Sequence, residues 1–387
     1  MRQIYLDSAA TSPPIAAAVE AAVEAMTYFG NPSSLHQMGL EAEKTISKAR
    51  EIIAANLGAK SREICFTSGG TEANNLALFG GAKKHVGARI ITTAAEHPSV
   101  VEPLKELARQ GFEIFCLRLD KNGVIDTDSL REGLCTPTAL VSVHHVNNET
   151  GTEQDIAALG RIIKETSSRT IFHVDGVQSF CKIPINVAAA NVDLLSMSAH
   201  KIGGIKGCGA LFVKEKGVVL RPILLGGGQE NGLRGGTENV PAIAAFGAAA
   251  RQNWNNLASN FKYVSGLKEA FCAQISHLSG ININGGSTIP YILNISFEDT
   301  KPEVLLNALS ARGIYISAGA ACSSNKRRRD EENAVLRAYG LSSQRAGTAV
   351  RISFSAENTL DEAKTAGKIF VDCLGGLRGG LPFKERL

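Results

Sequence analysis

The sequence predicts an α/β protein, with a large doubly wound, mostly parallel sheet followed by a smaller α+β unit. Three observations carry this. Between residues 15 and 254, short apolar runs of strand length alternate with longer helix-periodic stretches. The runs are near-continuous rather than alternating, as in strands covered on both faces by helices. Beyond residue 255 the spacing changes. The length of 387 residues also exceeds one ordinary domain of roughly 100–200 residues. The expected division is a large domain over 15–254 and a small domain made of 1–14 and 255–387.

In chain order, the expected strands of the large sheet are Ile64–Thr67, Ile90–Thr93, Glu113–Leu117, Ala139–His144, Ile171–Val174, Leu194–Ser198 and Gly209–Val213. Helical periodicity covers Leu40–Asn56, Ser99–Arg109, Asp155–Thr166 and Val240–Leu257. This β-α alternation is the pattern of a parallel sheet with crossover helices. In the second unit, Tyr291–Phe297, Ile314–Ser317 and Ala349–Phe354 read as strands, and Pro302–Ala311 and Leu360–Leu374 as helices. No internal repeat is present.

Hydrophobic residues make up 44% and charged residues 20% of the chain, and the net charge is +4. That balance does not call for a nucleic-acid or membrane partner. The N-terminus lacks a basic segment followed by an apolar core, and no apolar run reaches the roughly 18–20 residues of a membrane span. A cytoplasmic protein is expected. The eight cysteines are scattered without a C-x-x-C pair, which argues against zinc ribbons, clusters held by local spacing and disulfide frameworks. Cys65 and Cys116 lie in apolar runs and are expected to be buried fillers. Cys322 differs, because it follows a run of Gly, Ala and Ser and precedes a charged segment, Lys326–Arg329 then Asp330–Glu332.

In an open parallel sheet, ligands bind beyond the carboxyl ends of the strands. Five polar clusters fall there. Thr67-Ser68-Gly69-Gly70-Thr71-Glu72 leads from a strand into a helix, where unpaired N–H groups and small residues suit a phosphate. Glu96-His97 supplies an imidazole that could stack on a ring. Asn147-Asn148-Glu149-Thr150-Gly151 offers an amide beside a turn. Asp175, in His173-Val174-Asp175-Gly176-Val177-Gln178, is a carboxylate ending a buried strand, which is costly unless it meets a cation. Ser198-Ala199-His200-Lys201 places an amine at a strand end beside glycines, where it can form a Schiff base. Each cluster alone is a weak signal. Together they provide a phosphate cradle, a ring stack, a carboxylate for a protonated ring nitrogen and an amine for an aldehyde, which are the needs of pyridoxal 5′-phosphate (PLP). A nicotinamide or P-loop reading fails, since neither G-x-G-x-x-G after the first strand nor G-x-x-x-x-G-K-[ST] occurs.

With these clusters, the chain resembles the cysteine desulfurases of the class V aminotransferase group, which are fold-type I PLP enzymes. The resemblance spans nearly the whole sequence. It includes Tyr5-Leu6-Asp7-Ser8-Ala9-Ala10-Thr11, Asn31-Pro32-Ser33-Ser34 with His36, Gly226–Asn239, Ser317-Ala318-Gly319-Ala320-Ala321-Cys322 and Arg351-Ile352-Ser353. It implies that Lys201 forms the Schiff base, His97 stacks on the ring, Asp175 pairs with the ring nitrogen and Gln178 contacts the ring hydroxyl. Gly70, Thr71, Ser198 and His200 would hold the phosphate, and Thr237 would reach the phosphate of a neighbouring subunit in a homodimer. Asn148 and Arg351 would grip the carboxylate of L-cysteine, Arg351 by a bidentate fork. The Lys201 amine would remove the α-proton, with His97 assisting reprotonation. Cys322 would take the sulfur as a persulfide, release L-alanine and pass the sulfur to an acceptor protein serving iron–sulfur cluster assembly or tRNA thiolation. No metal is implied.

The chain departs from the family's usual pattern at three places. Ser8 stands where Asn is usual. The segment before the cysteine reads Ser-Ala-Gly-Ala-Ala-Cys, and Arg329–Asn333 replaces a Pro-Ser pair after it. Other readings on the same scaffold are a selenocysteine lyase, a class V aminotransferase, or a catalytically silent PLP-binding partner. Cys322 speaks against a transaminase, and intact Lys201, Asp175, Cys322 and Arg351 speak against a silent protein.

Overall fold

The computed structural model of the chain describes residues 3–83, 88–286, 289–297, 300–318 and 334–378. Its larger sheet has seven strands: β2 (Ile64–Thr67), β3 (Arg89–Thr93), β4 (Glu113–Leu117), β5 (Thr138–His144), β6 (Ile171–Asp175), β7 (Leu194–Ser198) and β8 (Gly209–Val213). Their spatial order is β2-β8-β7-β6-β5-β3-β4. The contiguous set β4, β3, β5, β6 and β7 is parallel, and β8 runs antiparallel to both β7 and β2. Two reversals restore direction, so β2 points the same way as the parallel set. The carboxyl ends of β2, β3, β5, β6 and β7 therefore lie along one edge of the sheet. A single reversed strand makes room beside the parallel set without moving β2 off that edge.

Burial follows sheet position. Every residue of β5, β6 and β7 is buried, whereas the edge strand β4 is mostly exposed or half-buried. Cys116 on β4 is accordingly exposed, as is Cys135, while Cys65 is buried as expected. An edge strand covered on one side cannot bury both faces of an apolar run. Adjacent residues go to opposite layers: Ile90, Leu140, Leu194 and Leu211 pack in one core, and Ile91, Val141, Leu195 and Phe212 in another. That is the period-2 alternation of a strand. The first layer is completed by α3 (Gly70–Gly81) and α4 (Pro98–Arg109). The second takes α1 (Ala16–Met26), α2 (Gln37–Ala55), α6 (Ile156–Thr166) and α7 (Val240–Asn255). The periodic stretch from Val240 to Leu257 divides at Asn256, where α8 (Leu257–Ile275) begins. Helix α5 (Thr127–Leu134), after β4, had no counterpart among the expected helices.

A second, four-stranded antiparallel sheet has the order β12-β13-β10-β9, from β9 (Ile281–Asn284), β10 (Ile292–Phe297), β12 (Ser317–Ala318) and β13 (Ala349–Ser353). The expected strand Ile314–Ser317 is split, because β11 (Ile314–Tyr315) pairs instead with β1 (Ile4–Tyr5) in a two-stranded parallel sheet. Helix α8, α9 (Pro302–Ala311) and the helix Leu360–Arg378 close this core, where Phe271 packs edge-on against Phe354 and Phe370. The N-terminal segment joins the two cores. Ile4 and Leu6 pack in the second. Further along, Ser12 N–H donates to the His200 carbonyl (2.9 Å) and Ile15 N–H to that of Gly203 (2.9 Å).

Candidate active site

The strand ends meet at a cavity of about 410 Å³. Gly70, Thr71, His97, Asn148, Asp175, Gln178, Ser198, His200, Lys201 and Arg351 all line it, together with Ala9, Ala10, Glu149 and His144 from outside the expected set. Thr237 does not. It sits on a separate hollow beside Glu230 and Arg234. Cys322 lies outside the described residues.

At one end the Gly69-Gly70 turn opens α3. A Cβ on Gly70 would come within 2.7 Å of Val177 Cγ2, and one on Gly209 within 2.6 Å of the Gly69 backbone, so both positions require glycine for packing. The first N–H groups of a helix have no partner inside it, and here they open onto the cavity. Ser198 Oγ, on the same wall, is buried without a hydrogen-bond partner. His200 Nδ1 lies 3.1 Å from Thr11 Oγ1. Burial, aided by Lys201, Lys206 and Lys182, pushes the His200 imidazole down to about 4, so it is neutral near pH 7. A helix N-terminus, an orphaned hydroxyl and a neutral imidazole donor fit a phosphate.

Asp175 ends β6 and is buried. Asn74 Nδ2 donates to its Oδ2 (2.8 Å) and Val177 N–H to its Oδ1 (3.0 Å). Among the described residues no ion pair balances this carboxylate, so a cationic ring nitrogen would supply the missing charge. Asn74, on α3, also donates to Ser99 Oγ (2.8 Å). His97 caps α4, its Nδ1 accepting from Ser99 N–H (3.1 Å). That bond turns Nε2 into the N–H of the neutral ring. Burial lowers the His97 pKa, with Lys201 adding to the effect and Asp175 opposing it.

Lys201 follows β7 on a short helical turn, and its Nζ donates to the carbonyls of Ala9 (2.6 Å) and Ala10 (2.7 Å). Burial, with the nearby Arg351 charge, brings its pKa down to about 8. A usable fraction of the amine is therefore unprotonated near neutrality, as a carbonyl-reactive lysine requires. Gln178 Nε2 donates to the same Ala9 carbonyl (2.9 Å), and Lys182 Nζ donates to Gln178 Oε1 (3.1 Å). Lys182 is buried, and burial followed by the charges of Lys201 and Arg351 holds it at about 7.

Arg351 reaches the cavity from β13. Its NH1 donates to Glu149 Oε1 (3.0 Å) and to the Asn148 carbonyl (3.0 Å), and its NH2 to Asp7 Oδ1 (3.1 Å). Burial opposes its charge, but Glu149 and Asp7 outweigh burial and raise its pKa. The expected free fork is thus already engaged. Asn148 Nδ2 also donates to Glu149 Oε1 (2.9 Å).

Glu96 is turned away from the ring position expected for its neighbour. Its Oε1 lies 2.9 Å from His144 Nδ1 and accepts from Thr93 Oγ1 (2.6 Å). Burial disfavours a charged His144, yet Glu96 outweighs burial and lifts its pKa, leaving an unpartnered Nε2 at the cavity wall. His173, between Ser142 Oγ (2.8 Å) and Ser196 Oγ (3.0 Å), is structural. Asn74, Lys182 and the Glu96–His144 pair escaped sequence reasoning. Asn74 and Lys182 carry no local signature, and His144 looked like the end of a strand run.

A strand-end cavity with a lysine, a buried carboxylate and a helix-start cradle defines a fold-type I PLP enzyme. The aminotransferase class-V family model matches residues 4–365, and the chain belongs to that family. Within it the chain is a cysteine desulfurase, an enzyme that uses PLP. The cysteine desulfurase IscS of Neisseria meningitidis is 39% identical over 99% of this chain and 95% of its own length. That of Dictyoglomus turgidum is 38% identical over 99% and 98%. Among solved structures, a NifS-like protein superposes with a TM-score of 0.90 at 35% identity, covering 97% of this chain and all of that one. A structure described as SspA in complex with cysteine gives 0.79 at 34%, covering 92% of this chain and all of that one.

Proposed function

We propose that L-cysteine is the substrate and that its sulfur is transferred through Cys322. Asn74 and Val177 hold Asp175 where it would keep the PLP ring nitrogen positively charged, and Gln178 and His97 would contact the ring from the same cavity. The Gly70–Thr71 helix start, Ser198 and His200 would hold its phosphate. When bound, PLP withdraws electrons from the substrate α-carbon and lowers the cost of removing its proton. Lys201, with its lowered pKa, takes that proton, and the carbonyls of Ala9 and Ala10 receive the resulting ammonium. Arg351 and Asn148 orient the substrate carboxylate. The Cys322 thiolate then attacks the substrate sulfur. A sulfur–sulfur bond forms, the carbon–sulfur bond breaks, and the electron pair left on the β-carbon takes up a proton. Lys201 returns the proton it took to the α-carbon, L-alanine leaves, and the persulfide stays on Cys322, to be passed to an acceptor protein of iron–sulfur cluster assembly or tRNA thiolation.

We further propose a cytoplasmic homodimer with domains at 15–254 and at 1–14 plus 255–387. The separate hydrophobic cores support the division. Leu35, Leu225 and Phe29, at 91%, 83% and 80% exposed, support burial against a second copy, and Thr237 then serves the neighbour's phosphate. No helix among the described residues is long and apolar enough to cross a membrane.

The observation that carries the reading is the convergence of Lys201, Asp175, His97 and Arg351 on one cavity. The test compares wild type, Lys201→Ala and Cys322→Ser for PLP absorbance and for alanine and sulfide release from L-cysteine. Lys201→Ala is expected to lose the lysine-linked absorbance band and turnover. Cys322→Ser is expected to keep the band and lose turnover. Full turnover by Cys322→Ser would exclude the persulfide route while leaving the cofactor assignment intact.

A further inference from the structure

We infer that Glu149 sits in the seat of the substrate carboxylate and must be displaced for substrate to bind, so that it sets substrate affinity. This rests on the assignment of Asn148 and Arg351 to that carboxylate. One oxygen of Glu149, Oε1, accepts from Asn148 Nδ2 (2.9 Å) and from Arg351 NH1 (3.0 Å). These donors come from distant parts of the chain, the loop after β5 and strand β13. They converge on a carboxylate that the protein itself provides.

Charge counting shows why this contact cannot persist beside a bound substrate. Arg351 carries one positive charge and already faces two carboxylates, Glu149 at 3.0 Å and Asp7 at 3.1 Å. A third would place three negative charges around one buried guanidinium, an arrangement that desolvation penalises heavily. One carboxylate must leave. Moving Asp7 would free a donor of Arg351 NH2 alone, whereas moving Glu149 frees the Asn148 amide together with one N–H of NH1, whose other contact is the Asn148 carbonyl. Glu149 is also half-buried at the cavity wall, within reach of solvent through the opening. The exchange is carboxylate for carboxylate, so the buried guanidinium keeps its partners before and after binding. The cost is a lowered apparent affinity, because only the fraction of molecules with Glu149 withdrawn is competent. A ligand without a carboxylate gains nothing from the exchange.

The experiment uses the PLP-loaded full-length enzyme with Glu149→Gln and Glu149→Ala. It measures KM and kcat for L-cysteine, and inhibition constants for β-mercaptopropionate, which has the carboxylate and thiol but no amine, and for cysteamine, which has no carboxylate. KM and the β-mercaptopropionate constant are expected to fall by about threefold or more in Glu149→Ala, with Glu149→Gln in between and cysteamine unchanged. Glu149→Gln keeps the shape of the side chain and serves if Glu149→Ala does not fold. A rise in KM and in the β-mercaptopropionate constant in the variants, or no change in either, overturns the inference. Asn148→Ala separates the two readings. If it leaves KM unchanged, the carboxylate seat itself is misassigned. If it raises KM while the Glu149 variants lower nothing, only the role of Glu149 fails.

Discussion

Replacing Lys182 with Met should remove a rise in stability between pH 7 and pH 9. The Lys182 side chain is buried, donates to Gln178 Oε1 and lies 5.7 Å from the Tyr291 ring centroid. Burial, with Lys201 and Arg351 nearby, lowers its pKa from 10.5 to about 7 in the folded protein. In the unfolded chain it returns to its ordinary value. Between those values the unfolded state binds the extra proton, so stability rises with pH. The slope is at most about 1.4 kcal/mol per pH unit for one group, giving on the order of 2 kcal/mol between pH 7 and 9. Met fills similar volume with no charge and lacks this slope. The assay is urea unfolding of cofactor-stripped wild type and Lys182→Met at pH 7, 8 and 9, with Lys201 contributing to both curves. The variant should be the more stable near pH 7, and the difference should shrink as pH rises. A difference that stays constant across the range would refute the buried-cation reasoning.

Two further outcomes follow from the site and its support. Glu230 Oε1 and Oε2 accept from Arg50 at 2.8 and 2.7 Å, and Oε2 also accepts from Phe66 N–H at 2.8 Å. Glu230→Ala leaves Arg50 without its counter-charge, and should cost about 3–5 kcal/mol in urea unfolding; a loss below about 1 kcal/mol would show that the pair contributes little. Asp175→Asn should keep PLP bound, seen by absorbance, but lower kcat for alanine formation by about a hundredfold or more, because an amide cannot stabilise a charged ring nitrogen; unchanged kcat would remove Asp175 from that role.

The strand-end clusters were legible because each chemical need imposes a residue type at a topologically defined place. Gly70, Asp175 and Lys201 sit where a strand must end and a ligand can enter. Asn74 and Lys182 were not legible, since a helix interior and a post-strand turn give no local sign of a hydrogen bond to Asp175 or Gln178. Cys116 was misread, because an apolar run looks the same at the centre of a sheet and at its exposed edge. The split at Asn256 was hidden by apolar periodicity that continues through it.

By itself, the sequence determined the α/β class, the strand-end positions of Lys201, Asp175 and His97, and the absence of nicotinamide and P-loop fingerprints. These are local facts, written by periodicity and by residue type at turns. Only the tertiary structure decided how groups far apart in the chain share charge. It placed Arg351 between Asp7 and Glu149, Glu96 on His144, and Lys201 and Gln178 on the same Ala9 carbonyl. Such pairings depend on sheet order and on where the N-terminal segment crosses between the cores. No window of sequence holds both partners, and desolvation, which sets their pKa values, exists only once the chain has folded.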